Sequence, residues 1–224
     1  MDFKGKHFMK EIILMAVRWY LAYPLSYRDI EELLLERNIM VDHSTVNRWV
    51  VEYSPQLLAE FRRKKNPVGN SWKADETYVK IKGQWRYHYR AVDKEGKTIG
   101  VYLSKNRDKK AAKAFFKKSI RTPGLPKKIT IDKSGANHSA LKAINSQLNK
   151  EAQFLIRQIT YLNNVVEQDH RFIKKVVNPM LGFKAFHSVD TTLQGIELHH
   201  MLRKGQHTAA NEMSIPEQFY ALTG

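Results

Sequence analysis

The periodicity of the apolar residues changes once along this 224-residue chain. Over the first sixty residues, apolar side chains recur every three or four positions, which is the period of amphipathic helices. Beyond residue 71 they form short runs that end at glycine-bearing turns, which is typical of β-strands. The sequence therefore predicts a helical region followed by an α/β region, and neither contains an internal repeat.

Three helices are predicted in the first region. The first ends before Pro24, and Ser26 is the expected N-cap of the second. Asp42 or Ser44 is the expected N-cap of the third, which is predicted over residues 45–53. Two helices, a brief connection and a third helix form a helix-turn-helix pattern.

The last helix of such a motif presents its N-terminal residues to base edges in the major groove of DNA. The residues expected to contact DNA are therefore His43, Ser44, Thr45, Asn47 and Arg48. The alternative is a small helical bundle whose third helix only packs against its neighbours.

Residues 61–71 lose the helical period and gather charge, proline and glycine, so they are interpreted as a basic linker. This segment either follows a DNA backbone or is a solvated connection. Beyond it, strands are predicted over 72–81, 84–92, 98–103, 128–132 and 153–157, and helices over 108–120, 136–149 and from about 163. The first three strands form an antiparallel meander, and the alternation that follows predicts a mixed central sheet flanked by helices.

The charge of the chain points to a nucleic-acid partner. It has 38 Lys and Arg against 22 Asp and Glu, a net charge of +16 and a pI near 9.9. A balance of this size indicates nucleic acid, or less often an anionic membrane surface. No apolar run approaches the roughly 20 residues that span a bilayer, and no signal peptide is expected. The absence of cysteine excludes disulfides and zinc fingers and fits a cytoplasmic protein.

Three carboxylates lie on predicted strands or helices, at positions where an acidic side chain requires an explanation. Asp132 ends a predicted buried strand, at the edge where α/β sheets bind ligands, although a helix N-cap is the alternative. Asp75 and Glu76 are neighbours on a strand and point to opposite faces, so periodicity does not decide which one joins a site. Glu167 lies on a predicted helix with Lys174 two turns later, either in a site or in an exposed stripe.

Two aspartates on strands and a glutamate on a later helix supply the oxygen ligands that Mg²⁺ or Mn²⁺ prefers. A pair of such ions can catalyse phosphoryl transfer. In a chain this basic, the phosphates are expected to be those of a nucleic acid.

The spacing of these acids resembles the D,D(34/35)E motif of retroviral integrases and related transposases, because 34 residues separate Asp132 from Glu167 and Lys174 follows. Longer blocks are similar to those of the IS6 family of insertion-sequence transposases. They cover residues 75–80, 132–137, 163–170, 181–184 and 203–206, with 18–20, 26–28 and 41–45 in the helical region. The resemblance runs from about residue 4 to about residue 206.

The resemblance selects Asp75 over Glu76 and implies an RNase H-like core with a mixed five-stranded sheet. It implies that the catalytic and metal-binding residues are Asp75, Asp132 and Glu167, which hold two Mg²⁺ (or Mn²⁺) ions. Lys174 is expected to hold a DNA phosphate, and His170 is a candidate helper. The expected domains are a helix-turn-helix region (1–60), a basic linker (61–71), the catalytic core (72–206) and a tail without an assigned role (207–224).

The activity implied by the resemblance is that of a DNA transposase in the bacterial cytoplasm, associated with the nucleoid when bound to DNA. Such an enzyme binds terminal inverted repeats, nicks them to expose 3′-OH ends and joins these ends to double-stranded target DNA, giving cointegrates. Because two ends are cut in one complex, a homodimer or higher oligomer is expected, without a membrane partner. The alternatives are a helix-turn-helix regulator with a non-catalytic α/β domain and a metal-dependent nuclease that hydrolyses without joining.

Overall fold

The fold is that of a computed structural model, which describes residues 1–159, 164–177 and 185–224, without the side chains of residues 164–169. The chain divides into two compact units. The first unit combines Met1–Asn66 with Phe172–Gly224, and the second is Pro67–Arg171. Within the described ranges, no helix is both long and apolar enough to cross a bilayer.

The first unit is helical. Its helices are α1 (Lys10–Ala22), α2 (Tyr27–Leu35), α3 (His43–Arg63), α7 (Phe186–Arg203) and α8 (Ile215–Tyr220). Ser26 caps α2 in a capping box with Asp29, and the side chain of Asp42 caps α3 by accepting from the backbone N–H of Ser44. The structure confirms the predicted N-cap Ser26, and of the two candidates for the N-cap of α3, Asp42 and Ser44, it selects Asp42.

Helix α3 is longer than the sequence predicts. The prediction ended this helix at Tyr53, and two residues later stands Pro55, which lacks the N–H that a helix interior uses. The structure continues α3 through Pro55 to Arg63, since Leu57, Leu58 and Phe61 are fully buried one and two turns later. Tertiary burial therefore outweighs the local helix-breaking signal.

Helix α7 is absent from the predicted elements. Twelve of its residues are buried, including Leu193, Glu197 and His199, so it carries no clear alternation of polar and apolar faces. It packs against α1 and α3, and Gly195 lies close to a residue of each. A Cβ at Gly195 would lie 2.6 Å from Leu21 Cδ2 and 2.7 Å from Ser54 Oγ.

The C-terminal tail is also part of the first unit. His207 forms a β-bridge with Lys65, and Lys64 Nζ donates to the carbonyl oxygen of Ala221 at 3.0 Å. Helix α8 begins with a second capping box, between Ser214 and Glu217. Residues 207–224 thus contribute to packing, although the sequence assigned them no role.

The second unit contains one mixed sheet of five strands. The strands are β1 (Ser71–Ile81), β2 (Gln84–Asp93), β3 (Thr98–Ser104), β4 (Lys128–Ile131) and β5 (Leu155–Gln158), in the spatial order β3-β2-β1-β4-β5. The first three are antiparallel, whereas β4 and β5 run parallel to β1. This topology is RNase H-like, and it confirms the expected mixed sheet, with every strand end within two residues of the prediction.

Three further helices follow in the chain: α4 (Lys109–Arg121), α5 (Gly135–Asn145) and α6 (Asn164–Val177). One core joins the sheet to α4 and α5 through buried residues such as Trp72, Tyr89 and Phe115. Helix α5 ends four residues before the predicted position, because the Asn145 side chain exchanges two hydrogen bonds with the backbone of Phe154. These bonds turn the chain towards β5.

Candidate active site

The register of two parallel strands brings Asp75 and Asp132 to the same level of the sheet. Lys73 on β1 is the partner of Thr130 on β4, and each aspartate lies two residues beyond its member of that pair. Two residues correspond to one repeat of the pleat, so both side chains leave the sheet on the same side. Two carboxylates that are distant in sequence therefore lie at one level of adjacent strands, at the edge of the sheet where β4 ends, although β1 continues for six more residues.

Both aspartates are anchored by the backbone and remain partly accessible. Asp75 Oδ1 accepts from the N–H of Glu76 at 2.8 Å, and Asp132 Oδ1 accepts from the N–H of Ser134 at 3.0 Å. Their side chains are 28% and 29% exposed. Ser134, not Asp132, is the N-cap of α5, so capping does not account for Asp132. Each carboxylate is fixed through one oxygen and can offer the other to a ligand.

His170 of α6 also lies at this edge. Its Nε2 is 3.7 Å from Asp75 Oδ2, which is beyond hydrogen-bond distance, and its side chain is almost fully buried. Within the part of the chain that the structure describes, neither ring nitrogen of His170 has a hydrogen-bond partner. The predicted helper residue is thus brought next to Asp75.

The other two predicted residues of α6 are less fully described. The helix includes Glu167, but the side chain of Glu167 lies outside the described residues. Lys174 is exposed on the same helix and belongs to the first unit. The assignment of Glu167 and Lys174 to a site therefore rests on the sequence.

An ion-pair network that the sequence analysis missed adjoins Asp132. Arg107 Nε donates to Glu76 Oε1, and Asn137 Nδ2 donates to Glu76 Oε2 at 2.9 Å. Arg107 Nη2 lies 3.9 Å from Asp132 Oδ2. Burial raises the pKa of the Glu76 carboxyl, although the bonds from Asn137 and Arg107 act in the opposite direction. Arg107 therefore links the buried Glu76 to the accessible Asp132.

The signal for this network in the sequence is weak. Glu76 is an acid in a run with buried neighbours, which requires a partner, but nothing local identifies that partner. Arg107 is 31 positions away and Asn137 is 61 positions away. Only the folding of the loop before α4 and of the first turn of α5 brings them together.

A shallow pocket opens beside these residues. It has a volume of about 490 Å³ and is lined by Arg107, Asp132, Lys133, Ser134, Gly135 and Ala136. Two cationic side chains next to a carboxylate can receive a phosphate group together with its counter-cation. The chemistry of this edge therefore suits a phosphodiester.

The predicted DNA-contacting residues lie in the first turns of α3. Ser44 and Arg48 are exposed, whereas Thr45 and Asn47 are half-buried. Arg48 Nη2 donates to Thr45 Oγ1 at 2.7 Å. His43 Nδ1 lies 3.0 Å from Glu31 Oε2 and 3.4 Å from Asp42 Oδ2, so acids hold this imidazole. Of the five residues, Arg48 presents the most accessible cation.

Comparison with known proteins identifies the class of enzyme. A family model described as a DDE domain (DDE_Tnp_IS240) matches residues 69–206. This range contains the sheet, its carboxyl edge and α6. The class is therefore that of the DDE polynucleotidyl transferases, enzymes that cleave and join DNA strands.

Relatives narrow the class to a family. The transposase for insertion sequence-like element IS431mec of Staphylococcus aureus is 42% identical over 204 residues, which cover 90% of this chain and 88% of the relative. The transposase for insertion sequence element IS257 in transposon Tn4003 of the same organism matches to the same extent. This chain belongs to the IS6 family of insertion-sequence transposases. The dimeric HTLV-2 integrase catalytic core in complex with magnesium aligns at 19% identity with a TM-score of 0.45, over 58% of this chain and 85% of that one.

Family membership decides between two of the functions considered from the sequence. A transcriptional regulator with a non-catalytic α/β domain is set aside, because the DDE domain match covers the whole sheet. The substrate is DNA, and a DDE domain works with a divalent metal ion.

Proposed function

We propose that Asp75, Asp132 and Glu167 form the catalytic triad and that it nicks the ends of an insertion sequence and joins the 3′-OH ends to target DNA. The observation that carries this assignment is the register of Lys73 with Thr130, which puts Asp75 and Asp132 at one level of adjacent parallel strands. Glu167 is assigned from its spacing and its place on α6.

The donor set fits two divalent cations. Carboxylate oxygens are the ligands that Mg²⁺ and Mn²⁺ prefer, and Asp75 and Asp132 are held by backbone N–H groups yet stay accessible. Together with Glu167 they would hold both ions. When bound, the ions would supply Lewis-acid activation of the attacking hydroxyl and neutralise charge on the scissile phosphate.

The residues around the triad would orient the DNA. Arg107 and Lys133 line the pocket at Asp132 and can contact phosphate oxygens on either side of the cleaved bond. His170, whose Nε2 lies 3.7 Å from Asp75 Oδ2, is a candidate helper. Lys174 is assigned to a DNA phosphate from its spacing in the sequence. Strand joining uses the DNA 3′-OH as nucleophile, so no serine or tyrosine of the chain becomes linked to DNA.

The helical region would select the substrate. We assign residues 1–60 to recognition of the terminal inverted repeats through His43, Ser44, Thr45, Asn47 and Arg48. Of the expected basic linker (61–71), only the segment between α3 and β1 is assigned to the DNA backbone, because Phe61 is buried in α3, α3 ends at Arg63 and β1 begins at Ser71. Residues 72–206 form the catalytic core in this division. Two ends are processed together, so a homodimer or higher oligomer is the active form, and joining without excision of the element produces cointegrates.

The test is cleavage of a supercoiled plasmid that carries both ends of the element. Wild type is compared with Asp75→Asn, Asp132→Asn and Glu167→Gln, with Mg²⁺ and with EDTA. Each substitution removes a charged metal ligand and is expected to lower nicking by at least about 10³-fold, while DNA binding is retained. Nicking that survives any of the three substitutions would remove that residue from the triad.

A second assay separates transposition from hydrolysis. A pre-cut end with a free 3′-OH is incubated with target DNA and Mg²⁺, and joined products are counted. Joined product is expected from wild type and from Glu60→Gln, a matched control for charge removal outside the DDE domain. Hydrolysis without joined product would favour the nuclease alternative.

A further inference from the structure

The β1–β2 hairpin extends beyond the level of Asp75 and Asp132 in the sheet. Six residues of β1 follow Asp75, a distance of about 20 Å at the rise of an extended strand. Neighbouring strands give this part little support, because β3 pairs with β2 only from Tyr87 onward and β4 pairs with β1 only up to Lys73. The end of the hairpin is therefore a two-stranded ribbon that projects past the candidate active site.

One face of this ribbon is aromatic and basic. Cross-strand pairs put Tyr78 opposite Tyr87 and Lys80 opposite Trp85, so all four side chains share a face. The rings of Tyr78 and Trp85 are 6.2 Å apart, and Lys80 Nζ lies 5.7 Å from the centre of the Trp85 ring. These four residues are called the hairpin patch below.

The hairpin patch is exposed in spite of its aromatic content. Trp85 is 60% exposed and Tyr78 is 45% exposed, which is a large apolar area to leave in water. Packing within a β-ribbon explains why the rings pair, but not why the larger ring faces solvent. Lys82, exposed at the turn, adds positive charge to the end of the hairpin.

The side chains of the hairpin patch indicate the class of ligand, and Arg107 connects their face to the candidate active site. Tyr78 lies one pleat repeat beyond Glu76, on the face of β1 opposite Asp75, and Glu76 binds Arg107, which lines the pocket at Asp132. Aromatic rings flanked by lysines suit nucleic acid whose bases are unstacked, since the rings stack on bases and the ammonium groups meet phosphates. Fully paired duplex offers such rings no free base face.

We propose that the hairpin patch binds unpaired DNA bases next to the scissile phosphate, with Trp85 as the stacking residue. The inference rests on the proposed function only for the location of the cleaved bond. The unpaired bases come either from a frayed transposon end or from distorted target DNA, and the chemistry of the contact is the same for both.

The test is equilibrium binding of the full chain to labelled oligonucleotides in EDTA, so that no cleavage is needed. One duplex is fully paired, a second has unpaired bases at its end, and a third has them in its middle. Wild type is expected to prefer an unpaired substrate, and Trp85→Leu is expected to bind it about 5- to 100-fold more weakly while binding to paired duplex is unchanged. The substrate that loses affinity identifies the source of the bases.

Two further variants separate stacking from folding of the ribbon. Trp85→Phe keeps an aromatic ring and should keep most of the preference, whereas Trp85→Leu keeps only apolar bulk. Trp19→Leu is the matched control, because Trp19 is a partly buried tryptophan beside a cation, Arg37, in the first unit. This control should leave the ratio of the affinity for unpaired DNA to the affinity for paired duplex unchanged.

Three outcomes would overturn the proposal. They are an unchanged preference in Trp85→Leu, an equal loss on paired and unpaired DNA, and a change of oligomeric state in sedimentation in place of a change in affinity. The last would make the hairpin patch a contact between copies of the chain. Because binding is measured without metal, a failure of the triad variants to abolish nicking would leave this result intact.

Discussion

Arg107 and Glu76 form an ion pair whose two members lie in different surroundings. The side chain of Glu76 is 2% exposed, whereas that of Arg107 is 40% exposed and also reaches to within 3.9 Å of Asp132. The carboxylate therefore depends on its partners for solvation, while the guanidinium can turn to water. This asymmetry makes the two halves of the pair unequal in mutagenesis.

Arg107→Ala should destabilise the second unit more than Glu76→Gln does at neutral pH. Loss of Arg107 leaves a buried carboxylate with Asn137 as its remaining donor. This should lower the free energy of unfolding by about 1–3 kcal/mol, after allowance for the exposed guanidinium. Glu76→Gln leaves Arg107 free to be hydrated. The check is urea unfolding of both variants and wild type at pH 7.5.

The difference in unfolding free energy between wild type and Arg107→Ala should become smaller as the pH falls. The pKa of Glu76 is raised in the folded protein, so this carboxyl favours folding when protonated and loses that contribution as the pH rises through its folded pKa. Without Arg107 the pKa rises further. A deficit that is constant from pH 7.5 to pH 5 would show that Glu76 is not the group left uncompensated.

Asp75→Asn should affect nicking directly, whereas Glu76→Gln should affect it only through Arg107. The first removes a proposed metal ligand, so nicking should fall by at least about 10³-fold with little change in stability. The second removes a group on the opposite face of β1, so nicking should fall moderately through displacement of Arg107. Plasmid nicking and thermal melting of both variants test this, and the opposite ranking would exchange the roles of the two acids.

Arg48→Ala should weaken recognition of the inverted repeats. Arg48 is the exposed cation in the first turns of α3, and loss of a base contact is expected to reduce the preference for repeat over shuffled duplex by about 1–3 kcal/mol. Arg63→Ala is the matched control at the other end of the helix, where Arg63 pairs with Glu60. Equal effects of the two substitutions on the preference would count against the helix-turn-helix assignment.

The first unit should lose stability in acid through His199. Burial, reinforced by the nearby cations Arg203 and Arg18, lowers the pKa of this histidine from 6.5 to about 3. A lowered pKa contributes stability above pH 6.5 that is lost as the pH falls towards 3, by up to about 1.4 kcal/mol per pH unit. His199→Gln should flatten the pH dependence of urea unfolding over this window, and an unchanged slope would contradict the assignment.

Gly195→Ala should destabilise the first unit by about 1–3 kcal/mol. The added methyl group would meet Leu21 and Ser54 at less than 3 Å, between closely packed helices. Gly135→Ala is the matched control, because a Cβ at this helical glycine meets nothing within 4 Å. The control should be neutral or stabilising by a few tenths of a kcal/mol, and thermal melting compares the two.

Local signals were sufficient for most elements of the chain. The strands of the second unit alternate and end at turn residues, so their boundaries could be predicted to within two residues. The N-cap at Ser26 could be predicted from its residue type, whereas residue type left both Asp42 and Ser44 as candidates for α3. Helix α7 and the second half of α3 could not be predicted in this way, because α7 is buried on most sides and Pro55 interrupts the local helix signal.

The sequence by itself determined the acids, their spacing and the family, because these are properties of residue identity and order. Only the tertiary structure decided what surrounds them. The alignment of Asp75 with Asp132 depends on the β1–β4 register, and the link from Asn137 through Glu76 to Arg107 depends on three segments that meet only in the folded unit. A buried carboxylate must find donors, but the burial free energy of the whole core selects which residues provide them.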